Sequence, residues 1–389
     1  MLGYIFKSLS KSIFFTLNGE IVLNNQMEPG WYIYNGEFQP IEYSFDKFFE
    51  ELFSKWQPLY EMPTDLINDI KYVSKIFLKA KFENRFILFR THNDADGFSA
   101  GYSLAKIFPN STKIIQASPF YTIRDAYSDS ALMSSKQNKL LILSDLGGNE
   151  KSKEGLDWIK SMQIEYVVID HHPFETDDRN ILNSWKYDPS GKYTAGYIAS
   201  EIARIFNYDV KDIPYLALTG DKSPLYDKQD LIDKALAIDY LTTYSADLNF
   251  IIQIYESDLF SQVIIKAKEL YEKIEISKLE KINVKDVTIY FLNAESLDRS
   301  EFIGAGKIAS YILTKAGENS IVIVYNKGVF TLRISDKVYN RGIDSLKLIN
   351  YIGNLGQGGG HSKAASFRIL PENFNIVKNL LIKKIKESL

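Results

Sequence analysis

Three apolar runs of the sequence each end near acidic residues, and this pattern constrains the fold more than any other feature. The runs lie at 86–89, 140–143 and 166–169 and have the length and composition of buried strands. Helical patterns accompany them at 99–108, 153–162 and 193–206. Strands that alternate with helices in this way predict a parallel sheet with helices on both faces. In such a sheet, ligands bind at the carboxyl ends of the strands.

Charged and metal-ligating residues follow each of these runs. In chain order they are His92, Asp94 and Asp96 after the first run, Asp145 after the second, Asp170, His171 and His172 after the third, and Asp221 after the apolar stretch 215–218. If the strands are neighbours, these side chains meet at one edge of the sheet. The chain has four histidines, and all but His361 belong to this set.

Several carboxylates in one crevice repel one another, so that the site is costly unless cations offset their charge. Oxygen and imidazole ligands without thiolate suit Mn²⁺ or Mg²⁺, and the histidines favour Mn²⁺. Two ions about 3.5–4 Å apart can hydrolyse a phosphoester. One carboxylate must then bridge them, and Asp145, alone on the central strand, is the candidate. We expect Asp94 and Asp96 to face different ions across a tight turn that Gly97 permits.

The composition places the chain among soluble globular proteins. It has 389 residues, 45% hydrophobic and 24% charged, with a formal net charge of −3. The charge excludes a basic surface that coats nucleic acid over its whole extent. The absence of cysteine excludes disulfides, thiolate zinc sites and a cysteine nucleophile. No apolar stretch is long enough to span a bilayer, and we expect a cytoplasmic protein without a membrane partner.

The chain divides into four predicted parts. Residues 1–80 form a small β-hairpin and helix module, in which two Asn-Gly pairs, at Asn18-Gly19 and Asn35-Gly36, predict type I′ turns. Residues 81–256 hold the parallel sheet. Residues 257–283 contain a long connecting helix, and residues 284–389 form a smaller α/β domain with a hairpin at Lys327-Gly328.

The ordered motifs resemble those of the DHH phosphoesterase superfamily, over about residues 81–389. Asp170, His171 and His172 match the Asp-His-His that gives the family its name. The other matches are His92, Asp94 and Asp96 in the first motif, Asp145 in the second, Asp221 in the fourth, and Arg333, Ser335, Gly358, Gly359, Gly360 and His361 in the DHHA1 domain. The chain is similar to the compact archaeal type of RecJ-like nuclease.

The resemblance implies a role for each of these residues. His92, Asp94 and Asp145 would hold one ion, and Asp96, Asp145, His171 and Asp221 would hold the other. His172 would contact the scissile phosphate, and Asp170 would orient a neighbouring histidine. The DHHA1 residues would bind substrate: Arg333 with its planar guanidinium, and Gly358, Gly359 and Gly360 through backbone N–H groups.

Three functions remain open from the sequence. The first is a two-metal, Mn²⁺-dependent phosphodiesterase, with Mg²⁺ as a substitute. It would act as an exonuclease on single-stranded DNA or RNA in repair, replication or RNA turnover, with a lean towards 3′→5′ cleavage. The second is a nano-RNase or cyclic-dinucleotide phosphodiesterase. The third is a non-catalytic scaffold, which the full set of acids disfavours. A replication or repair helicase is a candidate partner, and the oligomeric state is left open.

Overall fold

A computed structural model describes residues 1–225, 231–297 and 304–389. The chain forms two compact units, Met1–Phe260 and Ser261–Leu389. Within the described ranges, no helix is both long enough and apolar enough to cross a bilayer. Residues 1–80 lie within the first unit, and the finer division into four parts stays a prediction.

The first unit opens with a five-stranded antiparallel sheet. Its strands are β1 (Leu2–Ser8), β2 (Lys11–Thr16), β3 (Gly19–Leu23), β4 (Gly30–Tyr34) and β5 (Phe38–Pro40), in the order β3-β2-β1-β4-β5. The two Asn-Gly pairs do lie in hairpins, but the predicted type I′ turns are wrong. Thr16 pairs with Gly19, so that Leu17 and Asn18 are the central residues, and the positive φ belongs to Gly19.

Ten α-helices begin within the described residues of the first unit after that sheet, and the last of them continues into the second unit. They are α1 (Phe45–Ser54), α2 (Thr64–Phe82), α3 (Ala95–Ile107), α4 (Ile123–Met133), α5 (Lys153–Ser161), α6 (Ala195–Ile205), α7 (Ile213–Gly220), α8 (Ile232–Tyr244), α9 (Leu248–Glu256) and α10 (Leu259–Glu272).

The predicted parallel sheet is confirmed. Its strands are β6 (Phe86–His92), β7 (Thr112–Gln116), β8 (Lys139–Ser144), β9 (Glu165–Asp170) and β10 (Ile181–Asn183), and all four pairings are parallel in the order β10-β9-β8-β6-β7. Helices flank this sheet: α4 and α5 pack on it through Met133 and Leu156, and α3 and α6 pack on each other and on β6 and β8. The three acid-bearing strands β6, β8 and β9 are therefore neighbours.

The second unit is a mixed six-stranded sheet with helices. Its strands are β11 (Glu280–Val284), β12 (Val287–Asn293), β13 (Ser320–Asn326), β14 (Val329–Ile334), β15 (Gly356–His361) and β16 (Ala364–Ile369), in the order β11-β12-β13-β14-β16-β15. Its helices are α11 (Ala305–Ala316), α12 (Asp336–Tyr339), α13 (Ser345–Ile352) and α14 (Phe374–Ser388). The predicted hairpin at Lys327-Gly328 is confirmed by the antiparallel pairing of β13 with β14.

The connecting helix is shorter than the sequence predicts. It ends at Glu272, and β11 begins at Glu280. Ile282 and Val284 alternate along β11 and pack on the core of the second unit. Pairing with β12 therefore outweighs the helical propensity of this charged stretch.

Phe82, at the end of α2, joins the antiparallel sheet to the helices. Its ring lies 4.4 Å from that of Tyr4, 5.6 Å from that of Phe15 and 5.9 Å from that of Trp31, measured between ring centroids. The side chain is 7% exposed. Residues 1–45 thus share one aromatic core with α2.

Replacing Phe82 by alanine should lower the free energy of unfolding by about 3–5 kcal/mol, because the change leaves a cavity among aromatic rings. Denaturant unfolding of the full chain measures this loss. Phe250→Ala is the matched control, since Phe250 is 46% exposed and should change stability little. Equal losses for the two variants would contradict a core role for Phe82.

Candidate metal centre

The carboxyl ends of β6, β8 and β9 bring the predicted acids and histidines together. His92 is the last residue of β6, Asp145 follows β8, and Asp170 is the last residue of β9. Asp221 reaches the same place from the C-terminus of α7. Among the residues that the structure describes, three groups of side chains have ligand atoms within 4.8 Å of one another: His92 with Asp94 and Asp145, Asp96 with His171 and Asp221, and Asp145 with Asp170, His171 and His172.

Asp145 stands between the first two groups. Its Oδ2 lies 3.5 Å from Nδ1 of His92, and its Oδ1 lies 3.2 Å from Nε2 of His171. The same Nε2 lies 3.0 Å from Oδ2 of Asp221. The carboxylate of Asp145 is 2% exposed, and none of the described residues hydrogen-bonds to its Oδ2. The two oxygens of one buried carboxylate therefore face different groups of ligand atoms.

The backbone of Asp145 is strained. Its φ of 58° lies in the left-handed region, which few residues other than glycine adopt. Such strain persists only where the surrounding structure enforces it, and it is common at functional sites. The sequence carries no signal for this conformation, because aspartate tolerates the left-handed region without requiring it.

Asp94 is placed by the start of α3. It is the N-cap of that helix, and its Oδ1 accepts a hydrogen bond from the backbone N–H of Gly97 at 2.9 Å. Its Oδ2 lies 2.6 Å from Nδ1 of His92. The predicted tight turn at Gly97 is wrong, since Gly97 lies in the first turn of α3. A side chain is excluded there for another reason: a Cβ would collide with the carbonyl group of His92.

Asp96 is fully buried and held by the start of α6. Its Oδ2 accepts the backbone N–H of Ala195 and its Oδ1 accepts that of Gly196, both at 3.0 Å. Free N–H groups at a helix N-terminus favour a carboxylate. A Cβ on Gly196 would lie 2.5 Å from the carbonyl oxygen of Asp96, so that only glycine allows α6 to approach this closely.

Asp170 orients His172. Its Oδ1 accepts from the backbone N–H of His171 at 2.7 Å and lies 2.7 Å from Nδ1 of His172. Its Oδ2 accepts the backbone N–H of Gly148 at 2.6 Å. Asn183, the last residue of β10, stabilises the segment 170–172, because its Nδ2 donates to the carbonyl oxygen of His172 at 2.8 Å. Sequence reasoning missed Gly148, Gly196 and Asn183, because only the tertiary packing of strands and helices brings them to the site.

Burial and like charges act strongly on these acids. Burial, and then the charges of Asp145 and Asp221, raise the pKa of Asp96 well above its usual range. Burial and the neighbouring Asp94 raise the pKa of Asp145. Burial also opposes ionisation of Asp170, but the charge and hydrogen bond of His172 outweigh it and hold the pKa of Asp170 below its usual value.

The pKa values of the histidines are also raised, in their case by neighbouring carboxylates and against the effect of burial. Burial alone would lower the pKa of His171, but hydrogen bonds to Asp145 and Asp221 raise it well above its usual value. Crowded carboxylates thus favour positive charge in this crevice. Carboxylate and imidazole ligands suit a hard or borderline divalent cation, and the buried Oδ2 of Asp145 has no hydrogen-bond partner within the described ranges.

The candidate substrate-binding residues lie in the second unit. Arg333 donates from Nε to Oγ of Ser310 at 3.0 Å, and Ser335 bonds through Oγ to the backbone of Glu318 and Ser320. Gly358, Gly359 and Gly360 belong to the edge strand β15. A Cβ on Gly358 would collide with the backbone of β16. The side chain of His361 lies outside what the structure describes. Its backbone pairs with Ala364, which pairs in turn with Arg333.

Phe98 and Tyr102 belong to the core of the first unit. Both are fully buried, and both rings pack on that of Tyr255. Neither ring is therefore available to stack on a nucleobase.

Comparison with known proteins assigns the parallel-sheet region. Residues 86–220 match the DHH family, N-terminal domain. This region is therefore a DHH domain. A curated relative of this DHH protein, the uncharacterized protein MJ1198 of Methanocaldococcus jannaschii, is 29% identical over 199 residues. That match covers 42% of this chain and 26% of MJ1198. The chain thus spans about a quarter of the length of that relative.

Two examples represent the solved structures whose fold is similar to that of this chain. One is the DHH domain of PF0399, described as a member of the s1p family of ribosomal proteins, with a TM-score of 0.74 and 22% identity over 88% of this chain and 97% of that one. The other is RecJ from Thermus thermophilus in complex with Mn²⁺, with a TM-score of 0.62 and 14% identity over 85% of this chain and 56% of that one. The fold is therefore RecJ-like.

Gly196→Ala should lower the free energy of unfolding of this DHH protein by about 1–3 kcal/mol, because the added methyl group forces α6 away from Asp96. Thermal or denaturant unfolding measures the loss. Gly306→Ala is the matched control, since each glycine follows the alanine that begins its helix. Among the described residues, a Cβ on Gly306 meets only the flexible end of Arg333, at 3.2 Å, and this variant should stay within about 1 kcal/mol of wild type. A Gly196→Ala variant as stable as wild type would contradict the close approach of α6 to Asp96.

Proposed function

We propose that this DHH protein is a two-metal phosphodiesterase that acts as an exonuclease on single-stranded DNA or RNA and releases mononucleotides. The observation that carries the proposal is the position of Asp145, whose two carboxylate oxygens face two separate groups of ligand atoms. A carboxylate placed in this way can be shared by two cations. The RecJ-like fold, seen in a protein solved with Mn²⁺, supports the choice of metal.

The residues present fit two ions. His92, Asp94 and Asp145 would hold the first, and the second would be held by Asp96, Asp145, His171 and Asp221. Bound divalent ions supply Lewis acidity towards a phosphoryl oxygen and lower the pKa of water. Mn²⁺ is the ion that this mixture of carboxylate and imidazole favours, and Mg²⁺ would substitute.

The chain's own groups would position the phosphodiester. His172, held by Asp170 through Nδ1, would donate from Nε2 to an oxygen of the scissile phosphate. Asp170 is itself fixed by backbone N–H groups, so that little reorganisation accompanies the reaction. In the second unit, Arg333 and His361, each paired with Ala364, are the candidate substrate-binding groups.

Asp145→Asn should reduce Mn²⁺-dependent cleavage of single-stranded DNA at least about a hundredfold, because even outer partners of metal ligands contribute 10–100-fold. The rate of nucleotide release from a labelled oligonucleotide measures the effect. Asp177→Asn makes the same change at an exposed residue of the loop after β9 and should cleave at the wild-type rate. An Asp145→Asn protein with wild-type turnover would refute the proposal.

The substrate is tested by a length series from dinucleotide to 30-mer, in DNA and RNA, labelled at each end in turn. We expect Mn²⁺-dependent release of mononucleotides from long single strands, beginning at the 3′ end, and loss of all cleavage when a chelator removes the metal. A sharp preference for two to four nucleotides would favour a nano-RNase or cyclic-dinucleotide phosphodiesterase instead. Wild-type protein that cleaves none of these substrates would favour the scaffold function.

A further inference from the structure

Helix α8 contacts the segment that carries Asp94 on both sides of that residue. Oδ1 of Asp239 accepts a hydrogen bond from the backbone N–H of Ala95 at 3.0 Å. Oγ1 of Thr242 donates to the carbonyl oxygen of Asn93 at 2.8 Å. The two side chains are three residues apart and lie on the same face of α8. Together they engage the backbone groups immediately before and after Asp94.

These contacts are well placed to control the geometry of the Asp94 carboxylate. One oxygen of Asp94 is committed to capping α3 through Gly97, and the other lies beside His92. The direction of the second oxygen therefore follows from the position of the backbone at 93–95. Thr242 is 4% exposed, so that its hydrogen bond to Asn93 is shielded from competing water.

Neither residue belongs to the family motifs. Helix α8 begins at Ile232, beyond the region 86–220 that matches the DHH domain. Asp239 and Thr242 are separated in sequence from Asp94 by more than 140 residues. Only the packing of α8 against α3 and α7 brings them to the start of α3.

We propose that Asp239 and Thr242 are positioning residues that set the affinity of the His92, Asp94 and Asp145 group for a divalent cation. The proposal rests on the metal-dependent function proposed above. Outer partners that orient metal ligands through hydrogen bonds contribute about 10–100-fold to metal affinity. Here the orientation acts through the backbone on both sides of the ligand.

The test is direct titration of the purified full chain with Mn²⁺ alone, followed by the electron paramagnetic resonance signal of free Mn²⁺. Thr242→Val removes only the hydroxyl and should weaken binding of one of the two ions about tenfold or more. Thr243→Val is the matched control. Thr243 is exposed, its hydroxyl bonds within α8 to the carbonyl oxygen of Asp239, and its variant should bind Mn²⁺ as wild type does. Thr242→Ser keeps the hydroxyl and should restore binding.

Asp239 is tested by a second pair of variants. Asp239→Ala should weaken the same ion about tenfold or more, whereas Asp239→Asn keeps an oxygen that accepts the N–H of Ala95 and should bind within about twofold of wild type. If the asparagine variant binds as weakly as the alanine variant, charge rather than the hydrogen bond is responsible and the positioning role is overturned.

Melting temperatures separate positioning from general damage to the fold. We expect Thr242→Val and Thr242→Ser to melt within a few degrees of each other while their Mn²⁺ affinities differ. Equal Mn²⁺ affinities for Thr242→Val, Thr243→Val and wild type would overturn this inference and leave the proposed function standing. Wild-type protein that binds no Mn²⁺ would overturn both.

Discussion

Buried carboxylates at the ends of three adjacent parallel strands repel one another, and the arrangement of the site in the first unit depends on how this repulsion is offset. A parallel sheet brings the carboxyl ends of its strands to one edge, and here those ends carry Asp145, Asp170 and the segment with Asp94 and Asp96. Such a cluster is costly to bury unless positive charge compensates it. The raised pKa values of His92 and His171 express that demand, since acidic neighbours outweigh the effect of burial on both rings.

Hydrogen bonds from helix N-termini and turns orient the acidic side chains that lie at the ends of the strands. Asp94 caps α3, and Asp96 is bound by the first N–H groups of α6. These interactions orient each carboxylate while leaving lone pairs for a cation, because a carboxylate has about four acceptor positions. Asp170 instead uses its oxygens on backbone N–H groups and on His172, which suits an orienting role better than a ligating one.

Much of the candidate site could be predicted because its residues follow short apolar strands in a fixed order. The predicted set at His92, Asp94, Asp96, Asp145, His171 and Asp221 does converge. The local conformation at Gly97 was not predictable in the same way: glycine after Asp-x-Asp is typical of a turn, but here a close approach to the backbone of His92 requires it. Glycines in β15 likewise indicate a loop by composition, yet they form an edge strand because Gly358 packs directly against β16.

The sequence by itself determined which apolar runs form the buried strands, the order of the acids along the chain and the kind of ligand atoms that they offer. These depend on local composition and on side-chain chemistry, which need no knowledge of distant contacts. The tertiary structure alone decided which strands are neighbours and that the backbone of Asp145 is left-handed. It also decided the approach of Gly196 to Asp96 and the hydrogen bonds of α8 to the segment around Asp94. Each of these joins residues far apart in sequence or depends on packing that opposes a local preference, so that only the folded chain specifies it.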